Sequence, residues 1–179
     1  GNTHWLPISD RNDAKKQEYV TQLEGCTGIF ITGGNQLRLS TILGGTPIAQ
    51  TIRKLNAQGV HVAGTSAGAA IVSQHMITGG NTGIVPTEDG VNLAPGMGLI
   101  NTIVVDQHFN ERNRLSRLLS AVSYNPFLLG LGLDEDTAAF IDGDNEFTVV
   151  GSGAITVIDP SDIEHSSMAE ARSGDALTL

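Results

Sequence analysis

Residues 59–70 read Gly59-Val60-His61-Val62-Ala63-Gly64-Thr65-Ser66-Ala67-Gly68-Ala69-Ala70, and this stretch decides the fold. Four residues with the character of a buried strand run into Gly-x-Ser-x-Gly, and the small residues that follow predict a helix extending to about Met76. Such a strand-to-helix turn, a nucleophile elbow, lifts a serine hydroxyl out of a strained backbone and leaves no room for side chains on either flank. The alternative is a small-residue turn that only lets a helix pack closely on a sheet. The strand–turn–helix context favours Ser66 as a nucleophile.

Two backbone N–H groups are candidate donors to an oxyanion hole. The first belongs to Ala67, because the residue after the nucleophile supplies one donor in such elbows. The second comes from the strand at residues 27–32, which ends in Gly33-Gly34, where exposed N–H groups have no side chain in the way. We predict Gly34 as that donor. An ordinary strand-to-helix turn explains the glycine pair equally well.

The order of elements predicts an α/β protein with a mostly parallel sheet flanked by helices. Strands and helices alternate up to the elbow, which is typical of parallel sheets with helical crossovers. Residues 138–158 read as three further strands, two of them around an Asp-Gly turn, and predict an antiparallel C-terminal edge. Residues 78–98 contain six glycines and two prolines, so we expect a long loop at the substrate rim.

Three predicted strands end in chemically useful residues. They deliver Gly-Thr-Ser66, Asp-Gln-His108 and the acidic run Asp134-Glu135-Asp136. Because the C-terminal ends of parallel strands share one edge of a sheet, these residues are expected to converge. Ser66 would attack, His108 would take and return the proton, and one of the three acids would fix the imidazole tautomer. The sequence alone leaves the choice among those acids open.

Three arginines follow His108. Residues 110–122 predict a helix whose apolar face includes Leu115 and Leu118, which places Arg112, Arg114 and Arg117 near its start, against the helix dipole. Guanidinium groups bind carboxylates with two parallel hydrogen bonds, so these residues are candidates for binding substrate carboxylates. Pairing with Asp or Glu on a solvated face is the other interpretation.

Composition narrows the possible partners. The chain has 179 residues, 40% of them hydrophobic, and a net charge of −9, which predicts a single domain and argues against binding nucleic acid. No apolar run has the roughly 18 residues of a membrane helix. The single cysteine, Cys26, cannot form an internal disulfide, which favours a location in the cytoplasm. The abrupt start at Gly1 leaves a secreted form open. The histidines and the cysteine are not spaced along the sequence as metal ligands usually are, so we expect no metal and no cofactor.

Four blocks of this sequence resemble the cyanophycinase family of serine exopeptidases, which also contains the aspartyl dipeptidase peptidase E. They are Phe30-Ile-Thr-Gly-Gly-Asn-Gln36, Gly64-Thr-Ser-Ala-Gly-Ala69, Asp106-Gln-His-Phe-Asn-Glu-Arg-Asn-Arg-Leu115 and Gly132-Leu-Asp-Glu-Asp-Thr-Ala138. The first two are shared with peptidase E, whereas Asp-Gln-His followed by spaced arginines is the cyanophycinase pattern.

The resemblance implies a class I glutamine amidotransferase-like fold and hydrolysis of cyanophycin to β-aspartyl-arginine dipeptides. It assigns the catalytic triad to Ser66, His108 and Glu135. It assigns substrate recognition to six residues, namely Gln36, Asp106, Gln107, Arg112, Arg114 and Arg117. It also implies a homodimer.

The sequence is also compatible with two other functions. One is an aspartyl or isoaspartyl dipeptidase of the peptidase E type, which needs a smaller site. The other is a non-catalytic member of the fold, which a Ser66–His108 separation far beyond hydrogen-bond reach would favour. The family normally has a further strand–helix–strand unit before the region matched here. We therefore expect residues 1–179 to form a single α/β peptidase domain that is incomplete at its N-terminus and possibly at its C-terminus.

Overall fold

The computed structural model describes residues 1–179. It contains five α-helices, α1 (Gln17–Glu24), α2 (Gln36–Leu43), α3 (Pro47–Ala57), α4 (Ala67–Ala70) and α5 (Leu115–Tyr124). The nine strands are β1 (Gly28–Ile31), β2 (His61–Gly64), β3 (His75–Gly80), β4 (Val91–Pro95), β5 (Ile103–Gln107), β6 (Leu129–Leu133), β7 (Thr137–Ile141), β8 (Phe147–Gly151) and β9 (Ile155–Ile158). None of the helices combines the length and the apolar character needed to cross a membrane.

Two parallel strand pairs carry the residues predicted to form the site. β1 pairs with β2, and Ile31 lies opposite Gly64 at the end that leads into the elbow. β5 pairs with β6, and Gln107 lies opposite Leu133, so His108 and the acidic run leave the sheet side by side. β9 joins β6 in antiparallel orientation, and β7 forms a hairpin with β8. The predicted α/β class with an antiparallel C-terminal edge is confirmed.

Two apolar cores pack against these strand pairs. The first packs α1 and α3 against β1 and β2, and Ile48 and Ile52 of α3 are almost completely buried. Pro47 at the first helical position and the Thr46 side chain, which accepts a hydrogen bond from the backbone N–H of Ala49, fix the start of α3. The second core packs Leu118 and Val122 of α5 against Val104 of β5 and neighbouring residues.

The helix predicted after the elbow is wrong beyond its first turn. α4 ends at Ala70, and the chain then forms β3, which pairs with β4. The physical reason is long-range pairing: the backbone N–H of Met97 donates to the Ile71 oxygen at 2.7 Å, and that of Gly96 donates to the Gln74 oxygen at 2.9 Å. These bonds and burial of Met76 outweigh the local helical pattern. The long loop predicted at residues 78–98 is correspondingly reduced to residues 81–90 and 96–98.

The helix predicted from residue 110 begins only at Leu115. Residues 108–114 form a turn in which His108 and Asn113 have φ values of 51° and 50°, which no α-helix accommodates. Arg112 and Arg114 therefore precede the helix, and only Arg117 lies within it. The predicted placement of all three arginines within the helix is wrong for Arg112 and Arg114, although Arg114 is the N-cap residue.

Candidate active site

The serine lies in a strained turn between β2 and α4. Ser66 has φ 53° and ψ −116°, a sparsely populated conformation for a residue with a side chain. The flanking glycines are required by space: a Cβ on Gly64 would lie 2.1 Å from the Gly68 oxygen, and one on Gly68 would lie 2.1 Å from the Ile31 oxygen. The strand–elbow–helix arrangement is therefore present in the form that the sequence predicts.

His108 lies directly against this serine. Ser66 Oγ and His108 Nε2 are 2.9 Å apart, which is hydrogen-bond distance. The histidine follows the last residue of β5, and its left-handed backbone conformation turns the chain out of the sheet. The wide Ser66–His108 separation that would favour a non-catalytic domain is not observed.

Among the three acidic residues, Glu135 is the one that contacts the histidine. Its Oε1 lies 2.7 Å from His108 Nδ1, on the side of the ring opposite Ser66. Asp134 instead accepts hydrogen bonds from Asn110 and from the backbone N–H of Ala154. Of the three acids that the sequence alone left open, Glu135 thus has the contact that orienting the imidazole would require, since a carboxylate must reach the ring to orient it.

The two candidate oxyanion donors lie near the serine and have free N–H groups. Gly33 packs against Ser66, since a Cβ added to this glycine would lie 3.3 Å from the serine Cβ. Gly34 follows with φ 145°, a conformation that favours glycine. The backbone N–H groups of Gly34 and Ala67 donate no hydrogen bond within the protein. Neither N–H group is therefore committed to an acceptor inside the protein.

Four of the six predicted substrate-binding residues form one internal cluster. Asp106, Gln107, Arg114 and Arg117 have exposed fractions of 1%, 7%, 8% and 5%. Both Nε and Nη2 of Arg117 donate to the Asp106 carboxylate, and Arg114 Nη1 donates to Gln107. The arginines thus pair with an acid in the interior, and not on a solvated face.

The other two predicted substrate-binding residues lie outside this cluster. Arg112 is exposed, and its guanidinium group makes no hydrogen bond within the protein. Gln36 is half-buried at the start of α2, and its Nε2 donates to the Ile77 oxygen of β3 at 3.1 Å. These positions leave Arg112 as the cation of the arginine set that faces solvent.

Burial and hydrogen bonding shift two pKa values here. Burial lowers the pKa of Arg114, and the neighbouring Arg117 cation acts in the same direction. For Asp134, burial raises the pKa, but hydrogen bonds from Asn110 and Ala154 outweigh it and leave the pKa below its ordinary value. No group of three or more His, Cys, Asp or Glu side chains is arranged to hold a metal ion.

Sequence reasoning missed one interaction beside the triad. Glu111 Oε1 accepts a hydrogen bond from the backbone N–H of Glu135 at 3.0 Å, and so ties the turn after His108 to the acidic run. Its position inside the Asp-Gln-His-Phe-Asn-Glu block was the only signal in the sequence. Nothing in that block distinguishes a carboxylate that contacts a backbone N–H from one that faces solvent.

The fold and the site together define an α/β protein with the serine–histidine–carboxylate geometry of serine hydrolases. Residues 6–149 match the sequence profile of Peptidase family S51. The chain belongs to Peptidase family S51.

Curated relatives include a cyanophycinase of Nostoc sp. strain PCC 7120, 42% identical over 97% of this chain and 59% of its own length. A cyanophycinase of Synechococcus elongatus is also 42% identical over 97% of this chain and covers 54% of its own length. The chain therefore spans between half and two thirds of the length of these relatives.

Solved structures share the fold. A peptidase from an acI-B1 Actinobacterium superposes with a TM-score of 0.69 at 24% identity, covering 97% of this chain and 68% of that one. A putative peptidase E protein from Listeria monocytogenes superposes with a TM-score of 0.54 at 23% identity, covering 79% of this chain and 69% of that one.

Proposed function

We propose that the chain supplies the active site of a serine-type exopeptidase that hydrolyses cyanophycin. This polymer has a poly-aspartate backbone with an arginine amide-linked to each β-carboxylate, and the products would be β-aspartyl-arginine dipeptides. The observation that carries the proposal is the continuous chain of contacts from Glu135 through His108 to Ser66. The cyanophycinase names of the curated relatives support the choice of substrate.

The geometry supports an acyl-enzyme mechanism. Ser66 Oγ attacks the carbonyl carbon of the scissile peptide bond while His108 Nε2 takes the hydroxyl proton. Glu135 accepts a hydrogen bond from Nδ1–H and stabilises the imidazolium that forms. The proton then passes to the departing amine nitrogen, and the acyl group remains on Ser66. A water molecule, deprotonated by His108, then attacks the ester carbonyl carbon, and His108 returns that proton to Ser66 Oγ as the Oγ–acyl bond breaks and the acid product leaves.

The negative charge that develops on the carbonyl oxygen needs donors in place before the reaction. We assign this role to the N–H groups of Ala67 and Gly34, which have no acceptor within the protein. Arg112 has the charge and the exposure to bind a substrate carboxylate.

One observation favours a second candidate, an aspartyl or isoaspartyl dipeptidase of the peptidase E type. Because Arg114 and Arg117 are paired internally, a single exposed arginine remains for substrate carboxylates. The segment expected to form a large substrate rim is also mostly a β-hairpin. A site with one cation suits a short peptide as well as a polymer.

The experiment that separates these functions measures release of β-aspartyl-arginine from purified cyanophycin. The chain and its Ser66→Ala variant are compared, with β-aspartyl and α-aspartyl dipeptides as alternative substrates. Intact-protein mass spectrometry after rapid acid quenching checks for an acyl group on Ser66. We expect dipeptide release from the polymer by the unsubstituted chain only.

Other outcomes have definite meanings. Cleavage of dipeptides without release from the polymer supports the peptidase E-type function. A folded chain that cleaves none of the substrates contradicts both and favours the non-catalytic member of the fold. The homodimer, the lack of nucleic-acid and membrane partners and the cytoplasmic location stay predictions, and sedimentation velocity tests the first of them.

A further inference from the structure

The loop between β3 and β4, residues 81–90, borders the active site on two sides. On one side β3, which leads into the loop, is joined to the start of α2, because Gln36 Nε2 donates to the Ile77 oxygen at 3.1 Å. α2 begins two residues after the glycine pair that is predicted to supply an oxyanion donor. On the other side, the backbone N–H of Gly83 donates to the oxygen of Asn113, in the turn that follows the triad histidine, at 2.7 Å. The loop thus forms part of the rim of the active site.

A segment distant in sequence, residues 173–177, fastens the second half of this loop, and we call it the strap. Two backbone hydrogen bonds and one side-chain hydrogen bond join them, namely Leu177 N–H to the Pro86 oxygen at 2.8 Å, Glu88 N–H to the Asp175 oxygen at 3.1 Å and Ser173 Oγ to Asp89 Oδ2 at 2.8 Å. The strap also pairs with the loop as an isolated antiparallel bridge. Leu177 is buried, with an exposed fraction of 8%. The strap therefore holds the loop through both polar and apolar contacts.

The middle of the loop presents two apolar side chains to solvent. Ile84 and Val85 are 69% and 56% exposed. The residues on either side of this pair are fixed: Gly83 also accepts a hydrogen bond from the backbone N–H of Ser116 at 2.9 Å, and Pro86 is bound by the strap. Adjacent exposed apolar side chains beside an active site are typical of a contact surface. A fixed backbone lowers the entropic cost of using that surface to bind a ligand.

The substrate in the proposed function has a chemical feature that fits such a surface. Each unit of cyanophycin carries an arginine, whose methylene stem covers apolar surface while its guanidinium group stays in water. In the polymer, the repeats next to the scissile one bring further stems to the rim of the site. A dipeptide has no such neighbour. Apolar contacts at the rim therefore favour the polymer over a short peptide.

We propose that Ile84 and Val85 are specificity-determining residues that contact the methylene stems of neighbouring arginine side chains in a polymeric substrate, and that the strap holds them in place. The contact with the polymer rests on the proposed function. The role of the strap rests only on the contacts within the protein.

Kinetics on cyanophycin test the polymer contact. The double variant Ile84→Ser/Val85→Ser should raise KM about tenfold and leave kcat within about twofold, because the lost contacts stabilise the bound substrate and the transition state alike. Labelling of Ser66 by a small fluorophosphonate probe, which reports the reactivity of the serine without any polymer, should be unchanged. The conservative pair Ile84→Val/Val85→Ile keeps the apolar surface and should keep KM.

The matched control for the loop variant is Val149→Ser/Val150→Ser. These two valines are 46% and 53% exposed on β8, in the β7–β8 hairpin. The control removes a similar exposed apolar pair away from the loop, so KM, kcat and the labelling rate should all stay unchanged. A rise in KM in the control as large as that in the loop variant would mean that the effect is not specific to residues 84 and 85.

Hydrogen exchange measured by mass spectrometry tests the strap. In Ser173→Ala/Leu177→Ala, backbone amides in residues 81–90 should exchange about tenfold faster, because the contacts that limit local opening are lost. KM for cyanophycin should rise with kcat unchanged. Ser173→Ala/Leu177→Met keeps most of the buried apolar volume and should reverse much of both changes. Ser152→Ala, which removes an exposed hydroxyl without a hydrogen bond in the protein, is the control.

Urea unfolding identifies any variant that fails to fold. The single variant Ser173→Ala keeps the strap test decisive in that case, since this side chain is exposed and its loss frees only Asp89. Exchange in residues 81–90 that is unchanged in every folded strap variant overturns the strap.

The polymer contact and the proposed function fail in different ways. If the unsubstituted chain degrades cyanophycin and folded Ile84→Ser/Val85→Ser has the same KM, the contact is overturned and the proposed function stands. A chain that labels at Ser66 but releases nothing from cyanophycin contradicts the proposed function and the contact together. Hydrogen exchange then still decides the role of the strap.

Discussion

The backbone of Gly68 lies so close to Ile31 that a methyl group on the glycine would be 2.1 Å from the isoleucine oxygen. The first turn of α4 therefore packs backbone to backbone on the end of β1. This contact places the nucleophile elbow beside the glycine pair that ends the same strand. The separation of Ser66 from Gly34, the predicted oxyanion donor that follows β1, is thus set by two residues that take no part in the chemistry.

Gly68→Ala should be severely destabilising. The added methyl group meets backbone atoms that cannot rotate away, so the elbow must shift, and we expect a loss of about 3 kcal/mol or more in the free energy of unfolding. Urea denaturation measures it. Gly143→Ala, at a position where an added Cβ has no neighbour within 4 Å, is the control and should change stability by less than about 1 kcal/mol. Similar stabilities of the two variants would contradict the close contact.

Ser66→Gly should be more stable than Ser66→Ala. Both variants lack the hydroxyl, but the backbone at φ 53° and ψ −116° is strained for alanine and open to glycine. Relief of the strain outweighs the greater freedom of glycine in the unfolded chain, and we expect a net gain of about 1 kcal/mol. Equilibrium unfolding of the two purified variants decides the sign. An alanine variant as stable as the glycine variant would mean that the elbow is unstrained.

Glu135→Gln should lower the rate at which the Ser66 hydroxyl reacts with electrophiles about 100-fold or more, because an amide in place of the carboxylate no longer stabilises the imidazolium of His108. Fluorophosphonate labelling measures this without a polymer substrate. The matched control is Glu146→Gln in the β7–β8 turn, where only backbone groups of the glutamate are hydrogen-bonded: its N–H donates to Asp142 Oδ1 and its oxygen accepts from the Asp142 N–H. An unchanged labelling rate in Glu135→Gln would remove this residue from the triad.

Glu111 should matter through its oxygen atom and not through its charge. Glu111→Gln keeps an acceptor for the backbone N–H of Glu135, so labelling should remain within about threefold, whereas Glu111→Ala should lower it about tenfold by freeing the acidic loop. An equal loss of labelling in both variants would show that the charge of Glu111 is what matters, and no loss in either would show that this hydrogen bond does not affect Ser66.

Asp134 should make stability depend on pH. Its folded pKa lies below the ordinary value, so the ionised carboxylate stabilises the fold above the unfolded pKa of about 4, and this contribution is lost as pH falls through the folded value. Asp134→Asn should therefore be destabilising at pH 6.5, and the difference from the unsubstituted chain should shrink at pH 3. Urea unfolding at both pH values tests this, with the exposed Asp162→Asn as control. A difference that stays constant with pH would contradict the hydrogen-bonded carboxylate.

The sequence determined the parts of this protein that depend on local chemistry. The elbow was predictable because only Gly-x-Ser-x-Gly between a strand and a helix meets its steric demands, and the start of α3 was predictable from Thr46-Pro47. The convergence of Ser66 and His108 was predicted from the rule that the ends of parallel strands share an edge, and the two residues do meet, although β2 and β5 belong to separate sheets. That the single domain is incomplete stays a prediction.

Tertiary structure alone decided what depends on partners distant in sequence. Residues 71–80 became a turn and a strand because Gly96 and Met97 offered backbone partners that the local pattern could not reveal. Glu135 was separated from Asp134 only by which carboxylate reached His108. Burial distinguishes the arginines. A buried arginine that pairs with an aspartate and an arginine that faces solvent look alike in the sequence, and only tertiary packing shows which is which.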